Sequence, residues 1–179
     1  MKFNSNTKTP SRQRGAALVV ALIMLLVMTV LGITAMRVTR MEERMAGNSR
    51  DVNLAFQGAE AGLRDSEARI AAMTVRPTTC SAAPCAIWDL GQWTTDPRDE
   101  LLAWWRTNGT EYGVAGAQEL TEVVRDPIVV TESLGFIPDS LTVGHGPPEG
   151  RNFYKITANS VGASDTATAV LESTYTRRF

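Results

Sequence analysis

The residues that could do chemistry are few in this chain. Its only cysteines, Cys80 and Cys85, have a C-x4-C spacing. Two thiols at this spacing can close a disulfide loop in an oxidising compartment, or they can supply two ligands to a metal. A metal site lacks donors here, because the chain has one histidine and zinc sites usually need three or four ligands. A disulfide between the two cysteines is therefore the favoured prediction.

The other residues that could take part in catalysis or binding do not form a recognisable group. His145 lies between two glycines just before two prolines, and no serine or cysteine nucleophile can be assigned to it. Glu42 and Glu43 could be a carboxylate pair, but adjacent residues on a helix point in different directions and fit surface charges better. No triad or phosphate-binding glycine loop can be identified. We therefore expect no enzyme, no metal and no cofactor.

Four tryptophans are the remaining aromatic feature: Trp88, Trp93, Trp104 and Trp105. Exposed tryptophans could stack on a carbohydrate or a nucleic acid, but such residues more often cover a small core. The net charge of −1 gives no global field that would attract nucleic acid or anionic substrates. We therefore expect a core position for the tryptophans and no nucleic-acid partner.

A long apolar segment is the first of the elements that must position these residues. Ala16 to Met36 carries no charge and no proline, and as a helix it would reach about 31 Å, the thickness of a bilayer's hydrocarbon core. The residues before it include four basic ones and no acidic one: Lys2, Lys8, Arg12 and Arg14. Because basic residues stay on the cytoplasmic side, the chain after Arg37 is predicted to be exported. A secretory signal peptide would have a shorter apolar run followed by a cleavage site.

The helical pattern continues as an amphipathic half over residues 37–73. Ten apolar residues fall within an arc of about 100°: Val38, Met41, Met45, Val52, Ala55, Phe56, Ala59, Leu63, Ile70 and Met73. Two acid-first pairs at i,i+4 would support the helix: Glu60 with Arg64, and Asp65 with Arg69. The stripe could form a stalk or a coiled-coil dimer, but polar residues interrupt any strict heptad. Docking of one continuous helix, residues 16–73, on a sheet is favoured.

Residues 74–126 are predicted to be rich in loops and to hold the C-x4-C motif and one short helix. Asp96 is the candidate N-cap, Pro97 the first helical residue and Gly109 the C-cap. The apolar face of this short helix is expected to contain four residues: Leu101, Leu102, Trp104 and Trp105.

Residues 127–179 are predicted to form a small antiparallel sheet. Three segments have β-branched or alternating patterns: 127–132, 153–160 and 166–175. The last two flank a turn at 161–165 and should form a hairpin. A further strand is expected near residues 140–143, followed by a loop at 144–150. The fold class is therefore α+β: a long N-terminal helix, membrane-spanning and then amphipathic, with a small antiparallel sheet packed on its exported half.

This order of features resembles a type IV pilin precursor. The segments RGAALVVALIMLLVMTVLG, MEERMAGNSRD and LAFQGAEAGLRDSE are similar to the PilX family of minor pilins, and the closing YKITANSVGASDTATAVLESTY is similar to that family's last hairpin. The resemblance is strong over about the first 60 residues and moderate over about the last 30. The middle of the chain, residues 74–151, fits the family only by its length and by the overall architecture.

The resemblance also implies roles for particular residues. Residues 1–15 would be a leader that the prepilin peptidase removes after Gly15, leaving Ala16 as the N-methylated mature N-terminus. Residues 16–36 would first span the membrane and later pack in the filament core through apolar side chains: Leu18, Leu22, Leu25 and Leu26. Most pilins carry a glutamate five residues after the cut, and here that position is Val20. A subunit without this carboxylate needs no partner for it, which would suit the filament tip.

The function implied is that of a minor pilin, a structural subunit that helps to initiate a type IV pilus for twitching motility and adhesion. Its partners would be the prepilin peptidase, other minor pilins, the major pilin and a tip-associated adhesin. It would lie in the inner membrane, with a periplasmic domain, before it reaches the surface pilus. Two alternatives remain: a type II secretion pseudopilin, and a signal-anchored inner-membrane protein with an extracytoplasmic domain. No set of candidate catalytic residues supports an exported enzyme.

Overall fold

The computed structural model describes residues 14–113, 118–139 and 149–179 of the 179-residue chain. The helices and strands follow in this order: α1 (Arg14–Ala72), a 3₁₀ turn (Pro97–Asp99), α2 (Leu102–Asn108), β1 (Thr110–Glu111), β2 (Ile128–Pro138), β3 (Gly150–Val161) and β4 (Thr168–Arg177). The chain divides into two compact units, one ending at Ala46 and one beginning at Gly47. The fold is α+β, as the sequence predicted.

The second unit is built on one four-stranded antiparallel sheet. Its strand order is β1-β2-β3-β4, so each strand pairs with its neighbour along the chain. The β3–β4 hairpin predicted from the alternating patterns is confirmed, with Tyr154 opposite Tyr175 and Val161 opposite Thr168. The β2–β3 pairing has a register shift between Ser133 and Gly135. The short strand β1 was not predicted, and the strand expected near residues 140–143 lies outside the described residues.

The end of α1 packs on one face of this sheet. The shared core consists of small and branched side chains from both elements: Ala59, Leu63, Ile70, Val129, Tyr154, Ile156 and Ala158. Gly62 allows the close approach, because a Cβ there would lie 3.0 Å from Val129 Cγ2 and 3.1 Å from Pro127 Cβ. Ala169, Leu171 and Tyr175 of β4 pack against the same core, on one side of the strand as their alternation predicted.

The predicted docking stripe of α1 is wrong in its first half. Ala55, Ala59 and Ile70 are buried, but Val52 and Phe56 are each 48% exposed. Phe56 is rotated by about 100° from Ala55 around the helix axis, so it leaves the face that meets the sheet. The remaining apolar members of the stripe before Ala46 are exposed as well: Val38, Met41 and Met45.

The opposite face of the sheet carries a second core, formed by tryptophans. Trp88 and Trp105 are buried there with Ile128 and Val130 of β2. Trp93 bridges Trp88 and Trp104, with ring centroids 4.4 Å and 4.8 Å apart. Because the side chains of Trp88 and Trp105 are fully buried, the tryptophans form a core and not an open stacking platform.

The short helix predicted at Asp96 is divided into two elements. Asp96 accepts a hydrogen bond from the Arg98 N–H at 2.9 Å and so caps only the 3₁₀ turn. Leu101 is extended, with φ −73° and ψ 159°, and α2 begins after it and ends at the predicted C-cap, Gly109. Leu101 is therefore 79% exposed and not part of the apolar face, whereas Trp105 is buried.

Salt bridges on α1 agree with the predicted i,i+4 pairs. Arg64 pairs with Glu60, and Arg69 pairs with Asp65 at 2.8 Å. All four side chains are partly exposed, so each pair stabilises the helix by only about 0.3–0.5 kcal/mol.

Candidate assembly segment

The first unit consists of the N-terminal part of α1, and its apolar side chains point in all directions around the helix. The residues predicted for assembly are largely exposed: Leu18 at 65%, Val20 at 56%, Leu22 at 59%, Leu25 at 63% and Leu26 at 63%. By length and composition, α1 is long and apolar enough near the N-terminus to cross a membrane. Such a surface is unfavourable in water, so it requires lipid or other apolar helices around it.

The threonine hydroxyls of the apolar stretch, residues 16–36, are hydrogen-bonded within the helix itself. The hydroxyl of Thr29 donates to the Leu26 carbonyl at 2.8 Å, and the hydroxyl of Thr34 donates to the Val30 carbonyl at 2.8 Å. An unpaired hydroxyl in an apolar environment costs about 2 kcal/mol or more. These bonds therefore make the segment compatible with either a bilayer or a bundle of helices.

The processing residues lie at the beginning of α1. The helix starts at Arg14, so Gly15 and Ala16 are in its first turn, and its first turn holds no acidic residue. A Cβ on Gly15 would meet no atom of the described residues within 4 Å, so packing against them does not require a glycine there. Val20 lies one helical turn beyond Ala16, among other apolar residues. The structure thus places these residues together on one helix end, and their proposed roles rest on the resemblance.

Asp51 lies in the part of α1 that belongs to the second unit, and its carboxylate binds the loop between β3 and β4. One Asp51 oxygen accepts the Ser164 N–H at 3.0 Å, and the other is bonded to the Ser164 hydroxyl. The hydroxyl hydrogen bond is the main reason why the pKa of Asp51 is lowered. Gly162 allows this contact, since a Cβ there would clash with the carbonyl oxygen of Asp51. The sequence did not predict the contact between Asp51 and Ser164, because residues 113 positions apart share no local pattern.

Glu132 is the second important residue that sequence reasoning did not single out. It is buried on β2, and one of its oxygens lies 2.9 Å from Lys155 Nζ of β3. Its other oxygen accepts the Gly91 N–H at 3.2 Å. The carboxylate therefore joins the sheet to the loop that follows the cysteines. A glutamate in the run PIVVTE is the only sequence sign, and it predicts an exposed residue as readily as a buried one.

The cysteine loop lies beside this contact. Cys80 and Cys85 are bonded to each other, with Cα atoms 5.9 Å apart. The backbone N–H of Cys80 donates to the Ile87 carbonyl at 3.1 Å, and the backbone N–H of Asp89 donates to the Cys80 carbonyl at 3.1 Å. The loop thus leads directly to Trp88, which pairs with β2.

Groups suited to holding a metal ion are not assembled in the described part of the chain. No group of three or more His, Cys, Asp or Glu side chains converges there. An open depression of about 430 Å³ beside Asp51 is lined by residues of mixed character, among them Arg50, Leu54 and Glu122. His145 falls in a stretch that is not described. The feature with a clear functional implication is therefore the exposed apolar helix.

Comparison with known families covers both units. The family model described as PilX N-terminal matches residues 14–64, and the model described as type IV pilus assembly protein PilX C-term matches residues 55–177. Comparisons with curated proteins and with solved structures gave no match. The two family matches together span the helix and the sheet, and the second covers more than half of the chain. The chain therefore belongs to the PilX family of type IV pilus assembly proteins.

Proposed function

We propose that this chain is a minor pilin, a structural subunit that is held in the inner membrane before it enters a type IV pilus. The observation that carries the proposal is the exposed apolar surface of α1, which no part of the described chain covers. Lipid covers such a surface before assembly, and helices of neighbouring subunits cover it in a filament. The family's role in pilus assembly favours this function over a type II secretion pseudopilin or a permanently anchored membrane protein.

Processing after Gly15 is part of the same proposal. The prepilin peptidase removes residues 1–15, and the new N-terminus at Ala16 is N-methylated. Removal of the basic leader takes away the charges that hold the N-terminus at the cytoplasmic face. The mature helix can then leave the bilayer for another apolar environment.

Intact mass analysis of the full chain, expressed with and without prepilin peptidase, tests this function. We expect a product that begins at methylated Ala16 only when the peptidase is present. Gly15→Leu should remain at full length, whereas the matched variant Gly32→Ala in the same apolar segment should be cut normally. A wild-type chain that keeps its leader in the presence of active peptidase would show that the chain is not a pilin.

Val20 supports a position at the tip of the pilus. A glutamate at this position would be buried in an assembled bundle, where an unpaired carboxylate costs several kcal/mol. A tip subunit has one neighbour fewer and so lacks a partner for it. Val20→Glu is therefore expected to reduce the number of pili per cell severalfold, while Val20→Leu leaves it unchanged. Counting surface pili by electron microscopy checks this, and equal numbers with Val20→Glu would refute the tip position.

The partners proposed are the prepilin peptidase, other minor pilins, the major pilin and a tip-associated adhesin. Before assembly the N-terminus of the chain is cytoplasmic and the second unit periplasmic. The chain then becomes part of a surface pilus, through which it contributes to twitching motility and adhesion.

A further inference from the structure

The strand β4 forms one edge of the sheet, and none of the described residues pairs with the outer side of that edge. Its ten residues pair with β3 in an unbroken register from Thr168 to Arg177. In the part of the chain that the structure describes, no strand and no loop backbone pairs with the other side of β4. The strand contains no proline and no bulge, two of the usual devices that prevent an edge from pairing with another chain, and its charged residues are Glu172 in the middle and Arg177 at the end.

The opposite edge of the sheet is protected. The strand β1 pairs with the beginning of β2, and Trp88 pairs with its middle through two backbone hydrogen bonds of 2.8 Å and 2.9 Å. The end of β2 carries the irregularity at Gly135, where φ is +103°, and it finishes at Pro138. Both a bulge and a proline interfere with the addition of a further strand. Four features therefore protect this edge, whereas no described segment covers the edge at β4.

The register identifies which groups of β4 point outward. The Gly162 N–H donates to the Ala167 carbonyl at 2.9 Å, which makes this pair a hydrogen-bonded one next to Val161 and Thr168. Hydrogen-bonded and non-hydrogen-bonded pairs alternate along an antiparallel ladder. The outward N–H and C=O groups of β4 therefore belong to alternate residues: Thr168, Val170, Glu172, Thr174 and Thr176.

The core beneath β4 is also incomplete. Ala169, Leu171 and Tyr175 contact the buried cluster between α1 and the sheet, but each remains partly exposed. On β3 the residues of the same face, such as Ile156 and Ala158, are fully buried. A further strand beside β4 would place its own alternate side chains over this row and extend the core by one strand.

We infer that the outer edge of β4 binds an extended segment of another pilus-assembly subunit, which adds a fifth strand to the sheet. The segment fits if it is free of proline and carries apolar side chains at alternate positions, toward α1. Backbone hydrogen bonds to the outward groups would provide affinity, and the half-covered apolar row would provide selectivity. This inference rests on the proposed function, because that function supplies neighbouring subunits in fixed positions.

A second copy of this chain fits the edge less well. Antiparallel pairing of two β4 strands requires a two-fold axis perpendicular to the sheet. Such an axis reverses the direction of α1 on the sheet in one copy relative to the other. Subunits that share one membrane and one filament must have the same helix direction, so a different subunit is the better occupant.

A matched pair of variants at Thr174 tests the inference in cells that assemble pili. Thr174→Pro removes an outward N–H that β3 does not use, and Thr174→Ala shortens the same exposed side chain but keeps the N–H. We expect Thr174→Pro to reduce the amount of the processed chain in sheared pili at least tenfold, and Thr174→Ala to leave it unchanged. Equal incorporation of both variants would overturn the inference.

Hydrogen exchange of the wild-type chain provides the second measurement, which does not depend on the fold of a variant. Amides of Val170, Glu172 and Thr174 should exchange at least tenfold more slowly in the assembled complex than in the isolated full chain in detergent. Unchanged exchange would refute strand addition, and slow exchange in the isolated chain together with a dimer would identify a second copy as the occupant. Leader removal is scored in the same samples: a chain that is never processed contradicts the proposed function, whereas a processed and incorporated chain with fast β4 amides contradicts only this inference.

Discussion

Replacing Trp105 with alanine is expected to lower the free energy of unfolding of the second unit by about 3–5 kcal/mol. The side chain is fully buried and packs with Trp88, Ile128 and Val130 on the face of the sheet opposite α1. Truncation would leave a cavity that the neighbouring tryptophans cannot fill without leaving their contacts, since Trp104 also rests against its ring at 5.5 Å. The effect can be measured by urea unfolding of the full chain in detergent, followed by pulse proteolysis.

Two control variants separate packing from other causes. Among the described residues, no acceptor is bonded to the buried indole N–H of Trp105. Trp105→Phe removes this unpaired donor and keeps most of the ring, so it should cost clearly less than Trp105→Ala. Leu101→Ala, one turn away but 79% exposed, should change stability by at most about 0.5 kcal/mol. A loss below about 1 kcal/mol for Trp105→Ala would contradict the assignment of a second core.

Replacing Lys155 with methionine is expected to destabilise the second unit by about 3–5 kcal/mol. The variant leaves the Glu132 carboxylate buried without its cation, and only 7% of that side chain is exposed. Glu132→Met should cost less, because the Lys155 side chain is 25% exposed and its ammonium group can turn toward water. The same urea unfolding experiment measures both variants.

The double variant Glu132→Met with Lys155→Met completes the cycle. Two methionines of similar length replace both charges with apolar groups, so most of the loss should be recovered. The Gly91 N–H loses its acceptor in this variant, which sets a residual cost of about 1–3 kcal/mol. If the double variant is as unstable as the sum of the two single ones, the ion pair has no coupling and the interpretation is wrong.

Prediction from the sequence succeeded where the signal is local. The continuous helix, the acid-first pairs and the β3–β4 hairpin follow from periodicity and short spacings, and the structure confirms each. Prediction failed where a boundary depends on a competing contact. The helix predicted from Asp96 is interrupted by the extended backbone of Leu101. Asp96 caps the 3₁₀ turn before it, and its carboxylate also binds the Arg98 guanidinium, which lowers the pKa of Asp96 to about 2.

The docking face of α1 shows the same limit. The sequence predicted an apolar stripe that included Phe56, and the structure buries Ala55 and Ala59 but leaves Phe56 half-exposed. The hydrophobic pattern counts apolar residues within an arc, but it cannot tell which part of the arc a sheet will cover. Small residues occupy the face of α1 that the sheet covers, because they allow the sheet to approach the helix closely, as Gly62 does at Val129.

The amino-acid sequence by itself determined the long apolar helix, the order of the helix and the strands, and the resemblance that the PilX family matches confirm. These properties depend on the character and spacing of neighbouring residues, which a sequence displays directly. Only the tertiary structure decided that Asp51 binds Ser164, that Glu132 is buried against Lys155, and that β4 is an edge strand which no other described strand pairs with on its outer side. Each of these depends on groups far apart in the chain, and their meeting is a consequence of the packed fold as a whole.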